Sequence, residues 1–500
     1  MSGTQEEMLE RVASLMQGRS LLLDEVRQLL DEYQLKDVSA EPLIYLQTGY
    51  LRGLWELHQG IHQKHKARFS LINKETGYEC RRCGGGSSQM VMTECLYCGT
   101  VCPYCEQCLT MGRSRYCTVM IVAPRERVQS GYAVYQEKRM MEEDEDLNQF
   151  IRPWGLSEIQ AEASGQALTF MKGIELHKHT KIRNSPNRFL IWAVTGAGKT
   201  EMIFPMIHYM ITQGGKVVIA TPRRDVVLEL KPRIEKAFSA LSASVVTLYG
   251  GSDERWGNGD ITIATTHQLM RFEQAFDLVI IDELDAFPYH NNPMLQYAAE
   301  KVCKTGGMTL LLSATPPYHL QKATSSGRLP HVKVTARYHR HPLPVPVLIR
   351  SHPLKKQIQN ATLDQRLLRI IQASMDRGAQ LFVFVPKIYM VEPLNRLLSQ
   401  AFHQVVTRGT SSKDDERSEK VMDFRGKDTR ILVTTTILER GVTIPKSDVL
   451  IVDADEQIFD AAALVRNVRP RRTVRRGSGR EGIFCSERED ESAAGGDKTD

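Results

Sequence analysis

The sequence predicts an α/β fold made of two successive parallel-sheet units, with a helical segment and a cysteine-rich module ahead of them. Three observations carry this reading. From Ile151 onward, short β-rich runs alternate with helical segments: "RFLIWAV", "KVVIAT", "ITIATT", "FDLVIID" and "MTLLLSAT". Such alternation marks parallel strands joined by covering helices. The pattern pauses around "RYHRHPLPVP" and resumes with "AQLFVFVP", "HQVVTRG", "TRILVTTT" and "DVLIVDA", which makes two units. Ahead of Ile151 lie a helical stretch and a cysteine cluster. Five hundred residues with 42% apolar content exceed one hydrophobic core.

Residues 1–75 form the predicted helical region, because "LLLDEVRQLLDEYQL" has helical periodicity with no Pro or Gly to interrupt it. The cysteine module occupies 76–120. Residues 121–150, with "EKRMMEEDEDLNQF", read as a charged linker. The first α/β unit spans 151–330, the second 331–465, and an Arg-rich then acidic tail 466–500. No apolar run approaches ~18 residues, so the chain is not expected to span a membrane. The acidic start "MSGTQEEMLE" lacks a secretory signal, which implies a cytoplasmic location. The net charge of +6 suggests a polyanionic partner, but setting aside the seven arginines of the tail leaves −1. Global charge therefore decides little.

Eight of the ten cysteines lie between Cys80 and Cys117. In a large reducing-compartment protein such a cluster reads as metal binding rather than disulfides. "CRRCG" and "CLYCG" are Cys-x-x-Cys-Gly knuckles, in which the glycine permits a tight turn that aims N–H groups at thiolate. Four thiolates at ~2.3 Å form the closed cage of a structural Zn²⁺. Cys80, Cys83, Cys95 and Cys98 are the first expected set. Cys102, Cys105, Cys108 and Cys117 complete a second site, or the pairs interleave; spacing leaves both open, as it does one ion or two. Buried or redox-active thiols are the non-metal alternative. A closed cage implies a structural or DNA-docking role. Arg81, Arg82, Arg113 and Arg115 flank the module and are either phosphate contacts or solvated side chains.

In the first unit, "AVTGAGKT" (Ala193 to Thr200) follows a predicted strand and should open a helix. Thr195, Gly196, Ala197 and Gly198 would wrap a triphosphate with backbone N–H groups at a helix N-terminus. Lys199 should reach the β/γ-phosphates, and the Thr200 hydroxyl should ligate Mg²⁺. The strict pattern wants Gly where Ala193 stands. In "DLVIIDELD" four apolar residues end at Asp282 and Glu283, placing two carboxylates at a strand's C-terminal tip. Asp282 is the expected Mg²⁺ partner and Glu283 the general base for the attacking water. Paired acids at a strand end are commonly a solvated turn; the Gly-Lys-Thr loop upstream favours ATP hydrolysis.

The order of these motifs resembles the superfamily 2 helicases and translocases from about Trp154 to Asp460, which implies RecA-like units. "WGLSEIQAEA" looks like the adenine-reading segment, with Gln160 as its amide. By the same resemblance, "TPRRDV" (Thr221, Pro222, Arg223) and "ATTHQL" (Thr265, Thr266, His267) contact the nucleic-acid backbone. "SAT" (Ser313, Ala314, Thr315) couples hydrolysis to movement. "TTTILERGVTIP", with Thr434, Glu439, Arg440 and Gly441, resembles the motif facing ATP and strand from the second unit. Taken with "CPYCEQCLTMGR" and "RYHRHPLPVP", it also resembles the ComFA family of late-competence ATPases of Gram-positive bacteria, from about Tyr78 to Ala463. That resemblance implies an ATP-driven motor that draws incoming single-stranded DNA through the membrane channel. Its partners would be the channel and other competence proteins, and its place the inner face of the cell membrane, as a peripheral protein. The alternatives are a replication-restart-type helicase, or a zinc-dependent DNA-binding adaptor with an impaired motor.

The tail "VRNVRPRRTVRRGSGR" stands where that superfamily has Gln-x-x-Gly-Arg-x-Gly-Arg. Asn467 to Arg475 can be encoded as AAC GTC CGG CCG CGT CGG ACG GTC CGC. Read from the second base, this string gives Thr-Ser-Gly-Arg-Val-Gly-Arg-Ser, close to the expected motif. A one-base shift near codon 466 would account for the tail, and for "GIFCSEREDESAAGGDKTD" lacking the β-rich run that should close the second sheet. A genuine Arg-rich nucleic-acid-binding tail is the alternative. With a shifted frame this chain should bind ATP but hydrolyse it poorly; an unshifted frame on resequencing the locus, together with full DNA-stimulated activity in this chain, would rule that out.

Overall fold

The computed structural model describes residues 3–64, 77–124, 146–176, 187–194, 196–336, 347–411, 413–435, 447–454, 456 and 482–486. The chain divides into two compact units, one of residues 1–193 and 199–334, the other of 194–198 and 335–500.

The N-terminal region of the first unit is not purely helical. Helices Gly3–Met16 and Leu23–Glu32 are present as expected, but β1 (Arg19–Leu22) and β2 (Glu56–Gln59) lie among them. Both pair antiparallel with β7 (Val119–Ala123), the segment that leaves the cysteine module. The chain thus returns across the module to close a three-stranded sheet, order β1-β7-β2. Four-residue strands are too short to show a period of two, and the helical pattern around them masks them. Leu9, Val12, Val26, Leu29, Trp55 and Ile121 form the core of this region. Two antiparallel hairpins carry the cysteines, β3 (Ile61–Lys64) with β4 (Gly77–Cys80), and β5 (Met90–Glu94) with β6 (Val101–Cys105). Most of the expected linker, 125–145, lies outside the described residues.

The rest of the unit is a seven-stranded parallel sheet: β8 (Asn187–Ala193), β9 (Val217–Thr221), β10 (Val245–Leu248), β11 (Ile261–Thr265), β12 (Phe276–Ile281), β13 (Cys303–Ser313) and β14 (His331–Val334). Its order is β10-β11-β9-β12-β13-β8-β14. All five residues of β9 and of β11 are buried, as expected of parallel strands covered on both faces. The path from β8 to β9 skips over the places of β12 and β13. A crevice opens at such a reversal, at the carboxyl ends of the strands, and ligands bind there.

The second unit is a six-stranded parallel sheet: β15 (Val347–Arg350), β16 (Gln380–Phe384), β17 (Thr407–Thr410), β18 (Ile431–Thr434), β19 (Ser447–Val452) and β20 (Gly482–Ser486), in the order β15-β20-β19-β16-β18-β17. Alternate residues of its central strands feed two cores. Leu381, Val383 and Val433 join Leu367 and Leu394 on one face; Phe382, Phe384 and Leu432 join Phe424 on the other. One expectation is corrected here. "GIFCS" forms β20 and pairs in parallel with both β15 and β19. The sheet therefore does take up a five-residue strand after residue 480, where the tail was expected to lack the run that closes it. The Arg-rich stretch 466–480 lies outside the described residues.

Candidate functional site

The phosphate loop leaves β8 after Ala193. Gly196 has φ +81° and Gly198 φ +77°, a left-handed conformation that a side chain makes costly, so glycine is required at both places. Lys199 opens the short helix Lys199–Met202, and its Nζ donates to the Ala193 carbonyl at 3.1 Å. Thr200 follows in the same turn; Thr195 lies outside the described residues.

Two strands away, β12 ends at Ile281, and the Asp282 N–H donates to the Ala220 carbonyl at 2.9 Å, which fixes the strand tip against β9. Burial pushes the Asp282 carboxyl up to about 6; the neighbouring Glu283 charge adds to this and the Lys199 ammonium opposes it. A carboxylate so placed gains from a second cation. Glu283 sits at φ +52° and donates its N–H to Asp282 Oδ1 at 2.9 Å. A non-glycine residue held there is strained, and such strain gathers at functional sites.

The structure adds a residue that sequence reasoning missed. Asp285, the last acid of "DELD", is buried and accepts hydrogen bonds from Ser313 Oγ at 2.7 Å and Thr315 Oγ1 at 2.9 Å. Ser313 Oγ in turn accepts the Thr315 N–H at 3.0 Å. The acid-bearing turn and the Ser-Ala-Thr segment are thus physically joined. An acid three residues past Asp282 was visible in the sequence, but nothing local distinguished it from a solvated one.

Gln160 is buried; its Oε1 accepts from the Ser157 N–H and Oγ, both at 3.0 Å, at the start of helix Glu158–Leu176. Thr221 ends β9 and is buried with Pro222, while Arg223 pairs with Asp225 at 2.9 Å. Thr265 and Thr266 are buried at the end of β11, and burial lowers the pKa of His267. Because the strands are parallel, Thr221, Thr265, Asp282, Ser313 and the phosphate loop's Lys199 all lie at one edge of the sheet. In the second unit Thr434 ends β18 and is buried; Glu439, Arg440 and Gly441 lie outside the described residues.

The cysteines fall into two groups of four: Cys80, Cys83, Cys105 and Cys108, and Cys95, Cys98, Cys102 and Cys117. This corrects the first expected set, since Cys80 and Cys83 do not share a site with Cys95 and Cys98. The β5–β6 hairpin forces the interleaving, because its ends bring Cys105 towards the first knuckle and Cys102 towards the second. Sulfur–sulfur distances are 3.6 Å for Cys80–Cys108, 3.5 Å for Cys83–Cys105 and 3.7 Å for both Cys95–Cys117 and Cys102–Cys117. A tetrahedron of ~2.3 Å Zn–S bonds has edges of ~3.8 Å, so both groups fit zinc. Each knuckle turns in the same way. The Gly84 N–H donates to Cys80 O and the Gly99 N–H to Cys95 O, both at 2.8 Å, with φ +72° and +69° at the glycines. A Cβ on Gly84 would also stand 2.8 Å from the Tyr297 ring.

The two groups differ in setting. All four cysteines of the first are buried within one apolar cluster that also contains Val279, Ile281, Leu295 and Ala298 of the sheet and its covering helix. In the second, Cys98 is exposed, beside the exposed Leu96 and Tyr97. Arg82, between the ligands of the first group, is not a phosphate contact. It is fully buried, and Glu25 joins it at 2.7 Å and Arg271 at 3.0 Å. This triad ties helix Leu23–Glu32, the first knuckle and the end of the "THQLMR" turn into one body.

A glycine-lysine loop, an acid pair at a strand end two strands away and a linked Ser-Ala-Thr segment define a DNA-dependent ATPase of the helicase class. Comparison with known proteins narrows this. Residues 5–122 match the family described as Competence protein ComFA N-terminal domain, 155–318 that of Type III restriction enzyme, res subunit, and 362–475 that of Helicase conserved C-terminal domain. The chain is 37% identical over 397 residues to competence protein ComFA of Bacillus subtilis (strain 168), covering 79% of this chain and 78% of that one. It is 38% identical over 277 residues to ComFA of Streptococcus pneumoniae, covering 55% and 63%. Among solved structures, S. cerevisiae Dbp5 bound to RNA and ADP BeF3 aligns with 69% of this chain and 90% of its own at 14% identity, TM-score 0.45. The chain belongs to the ComFA family: it is an ATP-dependent, helicase-like competence protein. Among the described residues no helix is long and apolar enough to cross a membrane.

Proposed function

We propose that this protein is a single-stranded-DNA translocase that uses ATP hydrolysis to draw transforming DNA into the cytoplasm, working as a peripheral protein at the inner face of the membrane with the competence channel and other competence proteins. The observation that carries the motor reading is the bridge from Asp285 to Ser313 and Thr315. It gives the acid turn a direct route by which a change at the phosphates can move the Ser-Ala-Thr segment.

In this reading the loop 195–198 presents N–H groups to the triphosphate, and Lys199 leaves the Ala193 carbonyl to neutralise the β/γ-phosphates. Thr200 and Asp282 would hold Mg²⁺, which offsets the charge that develops on the phosphates. Glu283 takes the proton of the attacking water, and Gln160 reads the adenine. By the same family resemblance Glu439, Arg440 and Gly441 would bind the nucleotide, and Thr434 would serve strand contact and coupling. Thr221, Pro222, Arg223, Thr265, Thr266 and His267 would grip the DNA backbone, which implies little sequence preference and a strong salt dependence. The two sets of four cysteines would each hold one Zn²⁺ in a structural role. The domain boundaries proposed are those read from the sequence, with β1, β2 and β7 joining the N-terminal region to the cysteine module.

ATP hydrolysis measured with and without a single-stranded oligonucleotide tests this. Stimulation of about tenfold or more is expected, and no stimulation would refute the motor. In the same assay Glu283→Gln should bind ATP with near-normal affinity and turn it over at least about a hundredfold more slowly, since general-base catalysis contributes roughly 10²–10⁴. Normal turnover by that variant would place the base elsewhere.

A further inference from the structure

Between the edge strand β14 and the helix Tyr318–Ser325, the first unit carries an open groove of about 320 Å³. It is lined by two aromatic rings, Trp192 and Tyr318, and by Lys322, Lys333 and His331, with no carboxylate among the lining residues. Trp192, next to last in β8, donates its Nε1–H to the Ala314 carbonyl at 3.1 Å, in the middle of the Ser-Ala-Thr segment. Lys333 is its cross-strand partner and holds its ammonium 4.5 Å from the indole centroid. One face of Trp192 therefore fixes a cation at the rim. Tyr318 is 78% exposed and starts the helix just after "SATPP".

A bare aromatic ring beside two ammonium groups that meet no carboxylate among the described residues does little for folding. Its chemistry is that of a nucleotide receptor: a base stacks on the ring while phosphate meets the ammonium groups. A volume near 300 Å³ is at the low end for ligand sites and admits one nucleotide rather than a duplex. We propose that this groove is a stacking subsite for one unpaired nucleotide of the DNA strand, with Tyr318 as the platform and Lys322 and Lys333 as the phosphate contacts. This rests on the reading of the chain as a single-stranded-DNA motor. Through the Trp192–Ala314 bond, occupancy is felt by the segment that Asp285 joins to the ATP site.

The test is binding of a fluorescent twenty-nucleotide oligo-dT to the full chain, followed by anisotropy over a range of salt. Base–aromatic stacking contributes ~1–3 kcal/mol per base, so Tyr318→Ala should weaken binding about tenfold, and Tyr318→Phe should restore it. Replacing Lys322 and Lys333 together by Ala should lower the slope of log K against log salt by about 1.4, two phosphates' worth for a single strand. ATP turnover without DNA should stay unchanged, while the DNA concentration for half-maximal stimulation rises in step with the binding loss. Wild-type affinity in Tyr318→Ala would overturn the subsite alone. So would dTMP binding that Tyr318→Ala abolishes while oligo-dT affinity holds, because the groove would then serve free nucleotides. Absence of oligo-dT binding by the unaltered protein would overturn the motor reading and the subsite with it.

Discussion

Lys199→Ala should abolish ATP hydrolysis and leave the protein folded. The Lys199 ammonium packs no core; it reaches back 3.1 Å to the Ala193 carbonyl and lies close enough to Asp282 to oppose the rise of that carboxyl's pKa. Its removal has two effects at the phosphates. The negative charge that builds on the transferring group loses a fixed partner, and Asp282 loses a cation that favours its ionised form. Removing one preorganised charge-stabilising group costs about 10²–10³ in rate, and here a second ligand is weakened with it. Turnover should therefore fall by at least about a hundredfold, with the melting temperature within about 2 °C of the unaltered chain, since surface changes rarely exceed ~0.5 kcal/mol. Single-stranded DNA binding should survive, because no proposed strand contact is touched. Steady-state hydrolysis with thermal unfolding on the same preparation measures both. Turnover at the normal rate would remove the phosphate loop from the mechanism.

The parts legible in the sequence share one feature: their chemistry is local. Gly196, Gly198 and Lys199 lie in one loop, and the φ values at the two glycines are what "GAGK" demanded. The buried runs of β9, β11 and β12 announced a parallel sheet because strands covered on both faces need continuous apolar residues. What stayed hidden was pairing over long distances. Nothing near Cys83 indicates that its partner is Cys105 rather than Cys95, for the β5–β6 register decides it. Arg82 looks like a basic residue on a basic knuckle; only the placing of Glu25 and Arg271 on either side makes it a buried ion. Asp285 was hidden for the same reason, its partners lying 28 and 30 residues away. The strand β1 was lost to its own brevity and to the helices beside it.

Disrupting the first cysteine group should unfold the first unit, whereas disrupting the second should not. Cys80, Cys83, Cys105 and Cys108 are all buried in the apolar cluster that also holds β12 residues beneath the acid pair. With Cys80→Ala, three thiolates would remain in that cluster without a closed cage, and Zn²⁺ binding at such sites is itself folding free energy, about 10 kcal/mol or more in small zinc domains. A loss of that order is comparable to the whole ~5–15 kcal/mol by which a domain is stable. Cys98, by contrast, is exposed on a turn whose neighbours Leu96 and Tyr97 are exposed as well. Metal analysis of freshly reduced protein should find two zinc ions in the unaltered chain and one in Cys98→Ala, the latter still folded by circular dichroism. Glu25→Gln separates metal loss from packing loss when Cys80→Ala yields no soluble protein. It leaves every thiolate in place, so two zinc ions should remain, yet Arg82 and Arg271 become buried charges without their shared partner. Breaking a buried pair in this way costs about 3–5 kcal/mol, a fall that denaturant unfolding resolves. Equal destabilisation by Cys80→Ala and Cys98→Ala, or less than half an equivalent of zinc in the unaltered chain, would show that the first knuckle is not what holds the N-terminal region and the motor sheet together.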